Sequence, residues 1–144
     1  MTRRQLAVET FRSGFSCSQA VFAAFAEELG LDREKALRIA QPFGGGIART
    51  GSMCGAVSGA ILAIGLKYGR SRLEDEAARE KTYALVREYM ERFRERRGSL
   101  LCRELIGVDL SAPGGHAEAE RRGVFEEICS QLVAEAAEIL EAIL

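Results

Sequence analysis

The chain is poor in the residues that build most familiar sites. It has a single histidine, His116, so no centre made from several imidazoles is available. Its four cysteines, Cys17, Cys54, Cys102 and Cys129, never fall two or three residues apart, which excludes the paired knuckle of a zinc ribbon. No stretch alternates apolar and polar residues for long, and Val and Thr are sparse, so strands are not expected. Basic and acidic residues nearly cancel, for a net charge of −1, and this leaves no overall field to attract nucleic acid or an anionic membrane. The basic run Arg92–Arg97 contains Glu95 and follows Glu91, and it reads as a solvated helix face. The longest apolar run, Met53 to Leu66, is shorter than the roughly 20 residues that span a bilayer, so direct membrane insertion is not expected. The opening "MTRRQLAVETF" is charged and lacks the apolar core of a secretory signal. The expected location is the cytoplasm, where thiols stay reduced and cysteines bind metal, react or are simply buried.

What is present is helix signal. The 144 residues, 47% of them hydrophobic, suit one globular domain over 1–144, with no internal repeat and no dividing linker. Arg4 to Arg12 reads as a first amphipathic helix. A second starts near Ser16 and ends at Gly30, and Asp32 caps a third that stops before Pro42. A glycine-rich turn leads into a fourth helix, about Cys54 to Lys67, which is apolar all round and so belongs at the centre of a fold. Within it Gly55 and Gly59 share one face and predict close approach of another backbone. Ser71–Glu74, "SRLE", has the pattern of a capping box opening a long charged helix that ends near Arg97. A short helix carries "LLCREL", a loop follows over Gly107–Gly115, and a last helix begins around Glu118, with Gly123 as a break. The expectation is an all-α, single-domain bundle of about six or seven helices packed around the Met53–Leu66 helix.

Cys17, Cys54 and Cys102 each fall in or beside a first helical turn, close behind Ser16, Ser52 and Ser99. Unused N–H groups and the positive end of the helix dipole favour a thiolate there. Cys129 sits within the last helix and should face the core. If the four sulfurs converge, they cannot all ionise unaided, because two thiolates about 4 Å apart repel by roughly 4 kcal/mol at an effective dielectric of about 20. They must stay protonated, oxidise in pairs or hold a cation. The first option leaves them as buried small hydrophobes. The second is dithiol–disulfide exchange. The third is an iron–sulfur cluster or zinc on the same four sulfurs.

The glycine loop invites other readings that fail on its residues. Gly46 and Gly51 have phosphate-loop spacing, but Ser52 stands where lysine is needed and no strand precedes. Arg49 occupies the third glycine position of a dinucleotide fingerprint begun by Gly44 and Gly46. The anion best served at this helix start is the Cys54 thiolate itself. Gly44, Gly45, Gly46 and Gly55 would let backbone approach that sulfur or a group bound on it. His116 reads as a solvated loop residue, Arg49 as a surface arginine, and Phe15, Phe22 and Phe25 as core.

These residues resemble a family named for its C…GCAxxG…C…C pattern. The motif here is Cys54-Gly55-Ala56-Val57-Ser58-Gly59. "FSCSQAV" carries Cys17, "FGGG" precedes the motif, "GLKYG" follows it, and Cys102 and Cys129 come later. The resemblance covers nearly the whole chain. It implies redox activity shared among Cys17, Cys54, Cys102 and Cys129, and family genes often lie near transporter genes. The domain also looks similar to part of the split-Soret cytochromes, where an iron–sulfur cluster accompanies haem, but this chain has no CxxCH motif for haem attachment. Three functions are therefore carried forward. The favoured one is thiol redox work toward an unidentified redox partner, with Cys54 as the activated sulfur and Cys17 as its partner. The second is iron–sulfur or zinc binding by the four cysteines. The third is a non-catalytic helical adaptor on a membrane transporter. Homo-oligomerisation stays open.

Overall fold

The computed structural model describes residues 1–144 and is helical almost throughout. Eight α-helices follow one another: α1 (Arg3–Arg12), α2 (Cys17–Ala26), α3 (Arg33–Ala40), α4 (Gly55–Tyr68), α5 (Glu76–Arg97), α6 (Cys102–Ile106), α7 (Gly115–Arg121) and α8 (Ser130–Ile143). A 3₁₀ turn, Gln41–Phe43, extends α3, and a π-helical turn, Phe125–Cys129, leads into α8. The all-α bundle stands. None of its helices is long and apolar enough to cross a membrane.

Local chemistry sets the boundaries. Thr2 and Ser16 each form a full capping box, with Gln5 and Gln19 three residues on, so α1 and α2 begin with their first N–H groups satisfied. Asp32 caps α3 through Lys35 N–H at 3.0 Å. The start of α5 differs from the sequence expectation. Ser71–Glu74 is a turn, because the Glu74 carboxylate pairs with Arg72 at 2.9 Å instead of reaching back to Ser71. Asp75 supplies the cap, accepting from Ala78 N–H at 3.1 Å. The C-terminal region also differs. Gly123, at φ +70°, separates α7 from the π turn and α8, so one expected helix is two, and the count rises to eight.

The core is a single cluster of 32 buried residues. Its centre is shared. Every residue of α2 from Ser18 to Ala26 is buried, whereas α4 is buried mainly in its first half, and Leu66 near its end is exposed. The helix expected at the centre, α4, packs with α2 as a central pair. Small residues make that contact close. A Cβ added at Gly59 would stand 2.6 Å from the Ser18 carbonyl oxygen, nearer than real side chains come. α1 and α3 flank α2, α8 lies across α1 and the central pair, and α5 lies along α4 and α8. α5 buries little besides Tyr89 and Phe93 and covers its outer face with helical ion pairs such as Arg92–Glu88 and Arg94–Glu91.

Two loops prepare the site. From Gly45 to Arg49 five successive residues have φ between +50° and +69°, a left-handed turn that includes the non-glycine residues Ile47, Ala48 and Arg49. Each such residue costs about 1–2 kcal/mol. Wide backbone bonds, Gly51 N–H to Gly45 O at 3.1 Å and Ser52 N–H to Gly46 O at 2.8 Å, close the turn. Next comes a short element unforeseen from the sequence, an antiparallel bridge between Met53 and Leu101. Cys54 N–H donates to Leu100 O at 2.8 Å and Cys102 N–H to Ser52 O at 2.7 Å, which ties the start of α4 to the start of α6.

Candidate functional site: a four-thiol cavity

Packing brings all four cysteines to the wall of one cavity of about 1370 Å³. Cys17 is the first residue of α2, Cys54 the N-cap of α4, Cys102 the first residue of α6, and Cys129 the last residue of the π turn. All four are free thiols. Cys54, Cys102 and Cys129 are buried and Cys17 is half-buried, so Cys17 is the most open to solvent. Gly44, Gly45, Gly46 and Gly55 line the same cavity. Their size matters at two points. A Cβ on Gly46 would come 2.6 Å from the Cys102 Cβ, and one on Gly55 would press the Phe43 carbonyl at 3.1 Å and the Cys17 Cβ at 3.4 Å. Only glycine lets the loop lie against one cysteine and α4 against another.

Electrostatics sort the sulfurs. Burial pushes the Cys54 thiol up to about 11, although the N–H groups of Ala56 and Val57 hydrogen-bond toward its sulfur and pull the other way. The favourable helix start is real here, but desolvation outweighs it. As placed, Cys54 therefore holds its proton, whereas its position at a helix start led to the expectation of an activated sulfur. Burial likewise pushes Cys102 up to about 12, with Cys54 and Cys129 adding to the rise. Cys17 and Cys129 behave as a pair. The side-chain hydrogen bond between them raises Cys17 well above the ordinary thiol range and lowers Cys129. In such a pair the first proton leaves more easily than from a lone thiol, and the second is harder to remove. The interaction felt most strongly by Cys17 is with Cys129, and Cys54 adds a weaker one.

Several neighbours were read differently from sequence. His116, expected to be solvated in a loop, is half-buried, lines the cavity and stacks on Phe125 with ring centroids 5.2 Å apart. Phe15, expected in the core, is 38% exposed at the cavity, whereas Phe22 and Phe25 are buried as expected. Arg49 is exposed, as a surface residue should be, and also lines the cavity, as does Arg12 at the end of α1. No local pattern marks Arg12, which reaches the site only because α1 and α2 pack together.

No three His, Cys, Asp or Glu side chains stand close enough together to form a ready-made site for a single metal ion. A cluster spreads its thiolates over several irons and also accepts N–H bonds at sulfur. The cavity offers four thiols for that role. It also offers the N–H groups of Gly45 and Gly46, from which no backbone carbonyl accepts. On donor chemistry four cysteines suit either an iron–sulfur cluster or zinc.

Comparison with known proteins gives one match. A family model described as "Putative redox-active protein (C_GCAxxG_C_C)" covers residues 15–143. No curated protein and no solved structure matches the chain.

Proposed function

Since the chain belongs to the C_GCAxxG_C_C family of "putative redox-active" proteins, we propose that it is a thiol redox protein whose working dithiol is Cys17–Cys129. What supports this reading is that Cys17 and Cys129, free thiols from distant parts of the chain, line one cavity, where their interaction lowers the pKa of Cys129. A lowered pKa raises the share of thiolate, and thiolate is the nucleophile of disulfide exchange. In the reaction, the Cys129 thiolate attacks one sulfur of a substrate disulfide. A mixed disulfide forms and the first substrate thiolate leaves. Cys17 gives up its proton and attacks the Cys129 sulfur, closing the Cys17–Cys129 disulfide and expelling the second substrate thiolate. The substrate gains two electrons and takes up two protons to become two thiols, and the protein loses the same two electrons. Cys54 and Cys102, held protonated by burial, border the pair without carrying charge.

A second reading rests on a separate observation, the gathering of all four thiols with the uncommitted N–H groups of Gly45 and Gly46. Here Cys17, Cys54, Cys102 and Cys129 would hold an iron–sulfur cluster, which supplies one-electron transfer when bound. The left-handed loop would aim backbone N–H groups at the bound sulfur. A helical adaptor for a membrane transporter would treat the cysteines as passive core, and their convergence on one cavity gives that reading the least support.

Anaerobic purification, iron analysis and a visible spectrum separate the first two readings. The dithiol reading expects colourless protein with four titratable thiols, two of which disappear on oxidation with a Cys17–Cys129 linkage seen by peptide mass mapping. Stoichiometric iron and sulfide with a visible chromophore lost in Cys54→Ser and Cys102→Ser would replace it with the cluster.

A further inference from the structure

The cavity carries charge that the protein does not use. Arg12, from the end of α1, and Arg49, from the left-handed loop, line it. Glu126 and Glu127, both from the π turn, line it too. All four are exposed, and none takes part in any ion pair of the chain. Free groups of both signs around one opening match a ligand that itself carries both signs. Carboxylates are recognised by guanidinium forks. Ammonium groups are recognised by carboxylates.

Depth limits the size of that ligand. Cys129 is only 5% exposed and faces the cavity, not the outer surface. A disulfide on the surface of a folded protein cannot be brought to it, but a small molecule entering the cavity can. The cavity, at about 1370 Å³, is ample for such a molecule. We propose that the oxidant of the Cys17–Cys129 dithiol is a low-molecular-weight zwitterionic disulfide, of the amino-acid or short-peptide type. Its carboxylates are held by Arg12 and Arg49 and its ammonium groups by Glu126 and Glu127. This rests on the dithiol reading above. The balance is the one already written: one small disulfide and the protein dithiol become two small thiols and the protein disulfide.

The test uses the reduced full-length protein and four small disulfides. They are cystine, carrying both charges; dithiodiglycolate, carrying only carboxylates; cystamine, carrying only ammonium groups; and neutral bis(2-hydroxyethyl) disulfide. Each rate of thiol loss is divided by the rate of the same disulfide with dithiothreitol, which removes differences in intrinsic reactivity. Cystine is expected to exceed the neutral disulfide by about tenfold or more. The double variant Arg12→Gln/Arg49→Gln should bring the dithiodiglycolate-to-neutral ratio toward one, and Glu126→Gln/Glu127→Gln should do the same for the cystamine-to-neutral ratio. Each double variant should leave the other ratio unchanged, whereas loss of fold abolishes both preferences together. Equal normalised rates for all four disulfides, or preferences that survive both double variants, overturn this inference and leave the dithiol reading standing. Failure of every disulfide to oxidise Cys17 and Cys129 overturns both.

Discussion

Burial and hydrogen bonding act in opposite directions on the Cys54 sulfur, and their sizes decide its chemistry. With a pKa of about 11 against an ordinary 9, it holds about one-hundredth of the thiolate of an unperturbed cysteine at neutral pH. Cys129 is shifted the other way by a single contact with Cys17. Iodoacetamide at pH 7, followed by peptide mass mapping, should therefore modify Cys129 well before Cys54 or Cys102. Cys17→Ala removes the S–H that stabilises the Cys129 thiolate and should slow that first modification. An unchanged rate would remove the basis for the pair. At this scale the sequence was a partial guide. The positions of Cys17, Cys54 and Cys102 at helix starts were legible from the small polar and glycine residues ahead of them. The activation of Cys129 was not. It depends on a π turn that no local pattern encodes and on a neighbour far away in sequence.

Helix packing explains why particular glycines hold the site in shape. Gly59→Ala would drive a methyl group against the Ser18 carbonyl oxygen, a backbone atom with little freedom to move. Prying α2 from α4 should cost about 1–3 kcal/mol, read as a fall in denaturant midpoint with the slope unchanged. The left-handed turn predicts the opposite sign elsewhere. Ala48 sits at φ +50°, so Ala48→Gly relieves strain on the folded side while adding freedom to the unfolded chain, and a net gain of up to about 1 kcal/mol is expected. A loss of stability there would mean that the Ala48 methyl makes contacts outweighing the strain. The close approach at Gly55 and Gly59 was legible from their spacing on an otherwise apolar helix. The handedness of the loop was not, because Ile47, Ala48 and Arg49 are not residues that announce positive φ. The start of α5 was misread for a simpler reason. Ser71 and Asp75 both offer a cap, and the Arg72–Glu74 pair takes away the carboxylate that the first one needs.

For the whole molecule, the buried thiols couple stability to pH on the alkaline side. In the unfolded chain they titrate near 9, while in the fold Cys54 titrates near 11 and Cys102 near 12. The folded state therefore keeps protons that the unfolded state releases. This contribution is fully present below pH 9 and is lost as the pH rises through 11 and 12. Cys54 alone accounts for about 2–3 kcal/mol of that loss by pH 11. Melting curves taken from pH 8 to 11 should fall steeply in the wild type and less steeply in Cys54→Ser. Equal slopes would argue that the Cys54 sulfur is better solvated than its burial implies. The overall architecture was the most legible feature. Helical periodicity and the lack of strand signal gave the all-α class, since both are properties of the whole pattern and survive errors at individual boundaries. That α2 shares the centre with α4 was harder to read, because both are rich in small apolar residues and only packing decides how each is covered.

The contact between Cys17 and Cys129 has a mechanical side. A bond between them would fasten the beginning of α2 to the beginning of α8 and enclose roughly 110 residues of the chain in one covalent ring, which in the chain-entropy picture makes unfolding costlier by about 4–5 kcal/mol. The oxidised protein would then be the hardier one. Its redox history would be written into how long it withstands heat and proteases, so that the molecule records an encounter with an oxidant in its own durability.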